Sequence, residues 1–158
     1  MSKLVIRPMG EGDIPALCRA EGGETTENRE CFERYLYWQQ QLNDCVFLLA
    51  FFDGQLAGHL FVFYHDCPGG AESVDMPRLA DLRVFEPFRR QGVGSALLKA
   101  GEQVASTIND HAFLTVDRDD PMHQAYERRG YCPNGEENEA LVMVKKLKLW
   151  RNTGNEQH

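Results

Sequence analysis

Residues 45–64, CVFLLAFFDGQLAGHLFVFY, hold two apolar runs joined by Asp53-Gly54. Asp-Gly between β-type runs is the strongest short hairpin signal, because both turn positions need positive φ. In their later parts the two runs are apolar at successive positions rather than at alternate ones. Such strands need cover on two sides, so they belong inside a sheet flanked by other structure on both faces.

The rest of the chain supplies that cover. KLVIRPM reads as a first strand and GEGD as a turn, with Asp13 placed to cap a helix carrying Pro15 and apolar Ile14, Leu17 and Cys18. Thr25 or Thr26 caps a second helix over residues 27–41, where Phe32, Tyr35, Leu36 and Trp38 recur at helical spacing. That spacing marks either core contact or a ligand wall. HDCPGGAESVDMP reads as a loop, and a strand is expected from Arg78 to Phe85. A long helix then runs to about Asn109, with Val93, Leu97, Ala100, Val104 and Ile108 on one face. HAFLTV is a fifth strand, Asp120-Pro121 opens a short helix that Gly130 ends, and EALVMVKKLKLW supplies a last strand or two. The result is one mixed α/β domain over residues 1–151 with a polar tail, 152–158.

Charge and cysteine usage narrow the function classes. With 24 acidic against 17 basic residues the formal net charge is −7, which argues against a broad nucleic-acid surface. It suits a cationic or amine-bearing substrate, or only serves solubility. The five cysteines form no C-x-x-C pair, so free thiols in a reducing compartment are expected. HDC at residues 65–67 is too compressed to converge on one ion, and no metal is expected. No apolar run reaches bilayer length and MSKLVIRPMG lacks a signal-peptide core, so the expectation is a cytoplasmic protein with no membrane partner, monomer or homodimer.

FRRQGVGSALLKA, residues 88–100, carries the chemistry. Between a strand ending near Phe85 and a helix starting near Gly92, Gly92 and Gly94 put little bulk around the backbone. The first-turn N–H groups of the helix, with its dipole behind them and Arg89 and Arg90 alongside, make a site for a pyrophosphate. A tight turn with no ligand is the alternative. G-x-x-x-x-G-K-[ST] and G-x-G-x-x-G are both absent, which leaves little room for an ATP or NAD module.

LADLRVFEPFRRQGVGSALLKAGEQVA resembles the acetyl-CoA-binding motif of the GNAT superfamily of N-acyltransferases, Q/R-x-x-G-x-G/A, with Arg89, Gly92 and Gly94 in its places. DDPMHQAYERRGYCP is similar to that superfamily's second motif, a short helix bearing a tyrosine and ending in a glycine-aromatic pair. The resemblance implies a central mixed, mostly antiparallel sheet of six to seven strands flanked by helices on both faces. It also implies direct transfer of acetyl from acetyl-CoA to the amine of a small molecule or peptide. By the same resemblance the cofactor lies along Leu82, Arg83, Val84, Arg89, Arg90, Gln91, Gly92, Val93, Gly94 and Ser95, with a main-chain N–H of residues 82–84 facing the oxyanion.

Tyr126 stands at the family's helix tyrosine and is expected to protonate the leaving thiolate; a phenol near pKa ~10 holds its proton at neutral pH yet can release it. A packed aromatic that only orients the sulfur is the other reading. Many relatives carry a glutamate where this chain has Ala80, so the general base is open. Asp81 is the nearest carboxylate, although strand alternation points it to the opposite face unless a bulge rotates it. Asp75, Glu72, His65, Asp66 and a water chain are the other options. Asp119 replaces the asparagine common in relatives, so it binds the cofactor arm less well and, with Asp120, caps the Tyr126 helix. The acceptor pocket is expected around Tyr35, Trp38, Tyr64 and His65. A catalytically silent acyl-CoA sensor or partner module is the rival reading.

Overall fold

The computed structural model describes residues 3–68 and 74–148. In chain order its strands and helices are β1 (Leu4–Pro8), α1 (Ile14–Ala20), α2 (Thr26–Tyr37), β2 (Cys45–Phe52), β3 (Gln55–Asp66) and β4 (Met76–Val84). There follow α3 (Val93–Ser106), β5 (His111–Asp117), α4 (Met122–Arg128), β6 (Cys132–Glu137) and β7 (Ala140–Lys146). The strands form one mixed sheet in the order β1-β2-β3-β4-β5-β7-β6. β4 and β5 run parallel, while β1/β2, β5/β7 and β7/β6 are antiparallel. A mostly antiparallel seven-stranded sheet with four helices is the expected architecture.

The chain divides into two compact units, Met1–Val62 with Asp81–Gly101, and Phe63–Ala80 with Glu102–His158. In the first, β2 is buried from Cys45 through Ala50 without alternation, which is the two-sided cover its composition demands. Asp53 and Gly54 take φ of 50° and 82°, the positive values a two-residue hairpin turn needs. Phe32, Tyr35, Phe47 and Phe61 form a ring cluster, with Phe47 and Phe61 stacked at 4.2 Å and Tyr35 edge-on to Phe61 at 4.7 Å. Each buried ring of this size contributes roughly 2–3 kcal/mol of transfer free energy. In the second unit the core is Phe113, Tyr131, Val142 and Met143, and the Tyr131 hydroxyl donates to Glu102 Oε2 at 2.8 Å. Lys145 Nζ holds the other oxygen of Glu102 at 3.0 Å, so this half-buried carboxylate is compensated.

Several boundaries differ from the sequence reading, each for a local reason. Asp13 does not cap α1 with its side chain. Its carboxylate instead takes both Arg7 amino groups at 2.8 Å and the Gly10 amide at 2.7 Å, so Arg7 first and the Gly10 amide too hold its pKa down. Thr25, not Thr26, caps α2 by accepting from the Asn28 amide. α2 ends at Tyr37 and loosens into a π turn, Trp38–Leu42, where the half-buried Gln39 amide donates to Met9 O and accepts from the Phe47 N–H.

α3 stops at Ser106, short of Ile108, which is 36 % exposed. There the Ser106 and Thr107 hydroxyls bond the Gln103 and Val104 carbonyls, and the last amides tighten onto residues three back. β3 extends through Asp66 and β4 begins at Met76, so His65, Asp66, Met76 and Pro77 belong to strands rather than to the expected loop. The polar tail 152–158, the end of the last predicted strand and Glu72 lie outside the described residues. Among the described residues no helix is long and apolar enough to cross a membrane.

Candidate active site

The site of the first unit begins with a distortion of β4. Asp81 has φ of 54°, a left-handed value inside a strand, so the alternation of side chains breaks there. The neighbouring strand accommodates the distortion through Gly58, where a Cβ would come within 2.4 Å of the Arg83 carbonyl oxygen and 3.2 Å of Val84 Cα. Pairing resumes beyond the irregularity, with the Phe85 N–H on Ala57 O at 2.8 Å. The rotation that Asp81 needs in order to leave the face dictated by alternation is present in the backbone.

Beside this distortion lies a cavity of about 410 Å³ within the first unit. Asp81, Leu82 and Arg83 of β4 line it together with Glu21, His59 and Tyr35. Phe32, Phe47 and Phe61 give it an aromatic wall, and Asn28 and Cys31 complete it. Glu21 lies just past α1 and holds Arg83 Nη1 at 2.8 and 2.9 Å through its two oxygens. His59 is 7 % exposed, and burial pulls its imidazole below the ordinary value against the raising effect of the Asp81 carbonyl and the two carboxylates. Tyr35 is pushed up to about 12, first by burial and then by its hydrogen bond with Cys31 and the charge of Asp81. At neutral pH the imidazole is thus neutral and the phenol protonated, with the side chains of Glu21, Asp81 and Arg83 beside them.

Of the expected acceptor residues, Tyr35 lines this cavity. The Trp38 ring lies tilted against Tyr35 at 5.5 Å and is not among the lining residues. Tyr64 and His65 lie in the second unit, where the exposed His65 ring bonds Asp75 at 2.8 Å. Asp66 of that unit faces Arg78 at 3.5 Å. Glu21 and His59 escaped the sequence reading because an acidic residue after a helix and a histidine in an apolar strand carry no motif. The one available signal was His59 itself, a titratable side chain in a run that otherwise reads as core.

The glycine loop has the expected backbone. Arg90 and Gly92 take φ of 65° and 81°, and α3 starts at Val93. The Ala96 N–H reaches back to Gly92 O at 3.0 Å, so the amides of Gly92, Val93 and Gly94 precede the carbonyls that could satisfy them within the helix. Space around Gly92 is open, with no atom within 4 Å of where a Cβ would stand, whereas a Cβ on Gly94 would sit 3.4 Å from Val84 Cγ2. Arg89 is partly committed to the turn, its Nε donating to Val84 O at 2.9 Å, and Gln91 donates to Pro87 O at 3.3 Å. Arg90 and Ser95 are exposed. The cradle fits a diphosphate.

In the second unit Tyr126 is buried on α4 and meets Tyr131 edge-on at 5.8 Å. Burial, and then Asp120, raise its pKa, so the phenol is protonated throughout the neutral range. The N-cap of α4 is Pro121, with no side-chain cap bond, so the expected capping by Asp119 and Asp120 is not seen; Asp120 takes the Met122 amide at 2.9 Å from one position earlier, and Asp119 is exposed beside it. Among the described residues no group of three or more His, Cys, Asp or Glu side chains is placed to hold a metal ion.

Comparison with known proteins agrees with this geometry. Residues 15–131 match the Acetyltransferase (GNAT) family. No curated protein matches the chain. Among solved structures, it is similar to PaiA N-acetyltransferase from Thermoplasma acidophilum in complex with coenzyme A, at 20% identity and TM-score 0.63, over 91% of this chain and 99% of that one. It is similar to Ard1 from Thermoplasma volcanium at 21% identity and TM-score 0.66, over 92% and 98% of the two chains. An acetyltransferase of the GNAT family from Streptococcus pneumoniae gives 21% identity and TM-score 0.64, over 92% and 100%. At these identities the structures speak for the fold, and the family match, which spans most of the chain, speaks for descent: the protein belongs to the GNAT acetyltransferase family and is an acetyl-CoA-dependent acyltransferase.

Proposed function

We propose that the protein acetylates a primary amine of a small molecule or peptide by direct attack on acetyl-CoA. The observation that carries this reading is the acid-rich, aromatic-walled cavity bordered by the Asp81–Arg83 backbone, on the same strand that feeds the glycine loop. The amides of residues 92–94, with Arg89 and Arg90, bind the pyrophosphate, which fits the open backbone at Gly92. A main-chain N–H in the stretch 82–84 stabilises the oxyanion as the carbonyl becomes tetrahedral.

An ammonium has no lone pair, so the acceptor must lose a proton before attack. Its nitrogen then bonds the thioester carbon, the carbon–sulfur bond breaks, and the sulfur leaves with the electron pair. Tyr126 is the proton donor to that thiolate in this reading, supported by its place in the helix motif and by the burial that keeps it protonated. A panel of primary amines incubated with acetyl-CoA, read by free-thiol release and by mass of the product, tests the proposal. Amine-dependent thiol release is expected. Acetyl-CoA binding without turnover of any amine would instead identify an acyl-CoA sensor.

A further inference from the structure

Two proton acceptors converge in the cavity of the first unit. His59 Nε2 stands 3.7 Å from Glu21 Oε1, too far for a hydrogen bond between them and close enough for one nitrogen to bond both. The other ring nitrogen, Nδ1, lies 2.9 Å from the Asp81 carbonyl oxygen. A carbonyl oxygen only accepts, so Nδ1 carries the hydrogen and Nε2 of the neutral ring presents a lone pair. The ring is held by Phe47 at 5.0 Å and Phe85 at 5.8 Å. Facing it are Glu21 from the end of α1, Cys31 and Tyr35 of α2, and Asp81 and Arg83 of β4; β2 contributes the uncharged Phe47 ring.

Resting on the amine-acetylation reading, we propose that the cavity seats the acceptor's ammonium between Glu21 Oε1 and His59 Nε2, and that His59 is the general base. One N–H of the ammonium points to each acceptor. Asp81 adds a second carboxylate to the lining, while Arg83 Nη1 fixes the Glu21 carboxylate through both oxygens and leaves Oε1 a further lone pair for the ammonium. Phe32, Phe47, Phe61 and Tyr35 then face the carbon body that follows the nitrogen. A volume of about 410 Å³ suits a small molecule, so the substrate class is a small primary amine with an apolar or aromatic body. The ammonium gives one proton to Nε2, forming the imidazolium, and the freed lone pair attacks the thioester. As the carbon–sulfur bond breaks, the thiolate takes the proton of Tyr126, the second proton shed by the new amide nitrogen restores that phenol through solvent, and the imidazolium returns its proton to solvent. One amide, one thiol and one proton result, and the charge balances.

The test uses 2-phenylethylamine, n-butylamine and spermidine as acceptors, with His59→Asn and Glu21→Gln variants. Asparagine keeps an N–H donor for the Asp81 carbonyl and lacks a base at the Nε2 position. His59→Asn is expected to lower kcat about 100-fold, the usual scale of a lost general base, with acetyl-CoA affinity by calorimetry unchanged. In the wild type kcat/KM falls as pH drops below the ordinary histidine value; that acid limb disappears in His59→Asn, whose rate rises with hydroxide instead. Glu21→Gln is expected to raise the KM for 2-phenylethylamine about tenfold with kcat nearly constant, the effect of one charge-assisted hydrogen bond. Wild-type kcat and acid limb in His59→Asn, with amines still acetylated, would overturn the base assignment and leave amine acetylation standing. An unchanged KM in Glu21→Gln would overturn the ammonium seat. Acetyl-CoA binding with no acceptor turned over would remove both readings together. Should His59→Asn not fold, nitrogen-15 spectra of the histidines in the wild type decide: a hydrogen on Nε2 of His59 at neutral pH overturns the proposal.

Discussion

Gly58 of β3 and Arg83 of β4 approach so closely that a methyl group on the first would lie 2.4 Å from the carbonyl oxygen of the second. The obstacle is backbone, which cannot rotate away as a side chain would. Gly58→Ala is therefore expected to push the two strands apart beside the Asp81 distortion and the cavity that Asp81 lines. Overpacking of this kind costs about 1–3 kcal/mol. Urea unfolding should show that loss, and amine acetylation should fall by more than the loss of folded protein accounts for.

Gly92 presents the opposite case, with open space but φ of +81°. Gly92→Ala introduces no clash, and its cost is the left-handed backbone, about 1–2 kcal/mol for a residue with a Cβ. A helix start that relaxes to avoid that strain turns its amides off the phosphates. Acetyl-CoA affinity measured by calorimetry is expected to weaken about tenfold or more, matching that strain energy. A companion check is the stabilisation of the wild type, which should reach ~2.7 kcal/mol when acetyl-CoA is present at 100 times its dissociation constant.

Tyr126→Phe separates proton donation from packing. The ring and its edge-on contact with Tyr131 are retained, so the melting temperature should move little. As a donor, the hydroxyl is expected to contribute at least tenfold to kcat, with the Kd for acetyl-CoA unchanged. Turnover equal to wild type across the pH range would assign Tyr126 to packing.

Alkaline stability gives a further readout. The folded state holds Tyr35 at about 12, against an ordinary phenol near 10. A raised folded pKa means that stability is complete below the unfolded value and is lost as pH rises from about 10 through 12. On the acid side the sign reverses for His59, whose folded pKa is depressed: its neutral form favours folding, and stability falls as pH drops below about 6.5. Urea midpoints measured against pH should fall at both ends, with Tyr35→Phe flattening the alkaline loss and His59→Asn the acid one.

What could be read in advance follows the range of the forces involved. The Asp53-Gly54 hairpin, the Thr25 cap and the turn into α3 depend on residues a few positions apart, and each is where its local chemistry puts it. Asp13 shows how that logic fails. It is a good cap by type, but Arg7 offers a charged partner from β1 and takes its carboxylate. Likewise the spacing that extends α3 to Ile108 is undone by Ser106 and Thr107, whose hydroxyls compete for the last carbonyls.

By itself the sequence determined the family, the covered sheet and the glycine turn into α3, because these are written in glycine positions and apolar runs that act over short stretches of chain. Only the tertiary structure decided the cavity of the first unit. Glu21, His59 and Asp81 meet there from separate segments, and they do so because one left-handed residue in β4 and one side-chain-free residue in β3 let the backbone leave its regular path. Such a meeting has no spacing in the chain to announce it, since its geometry is set by strand packing.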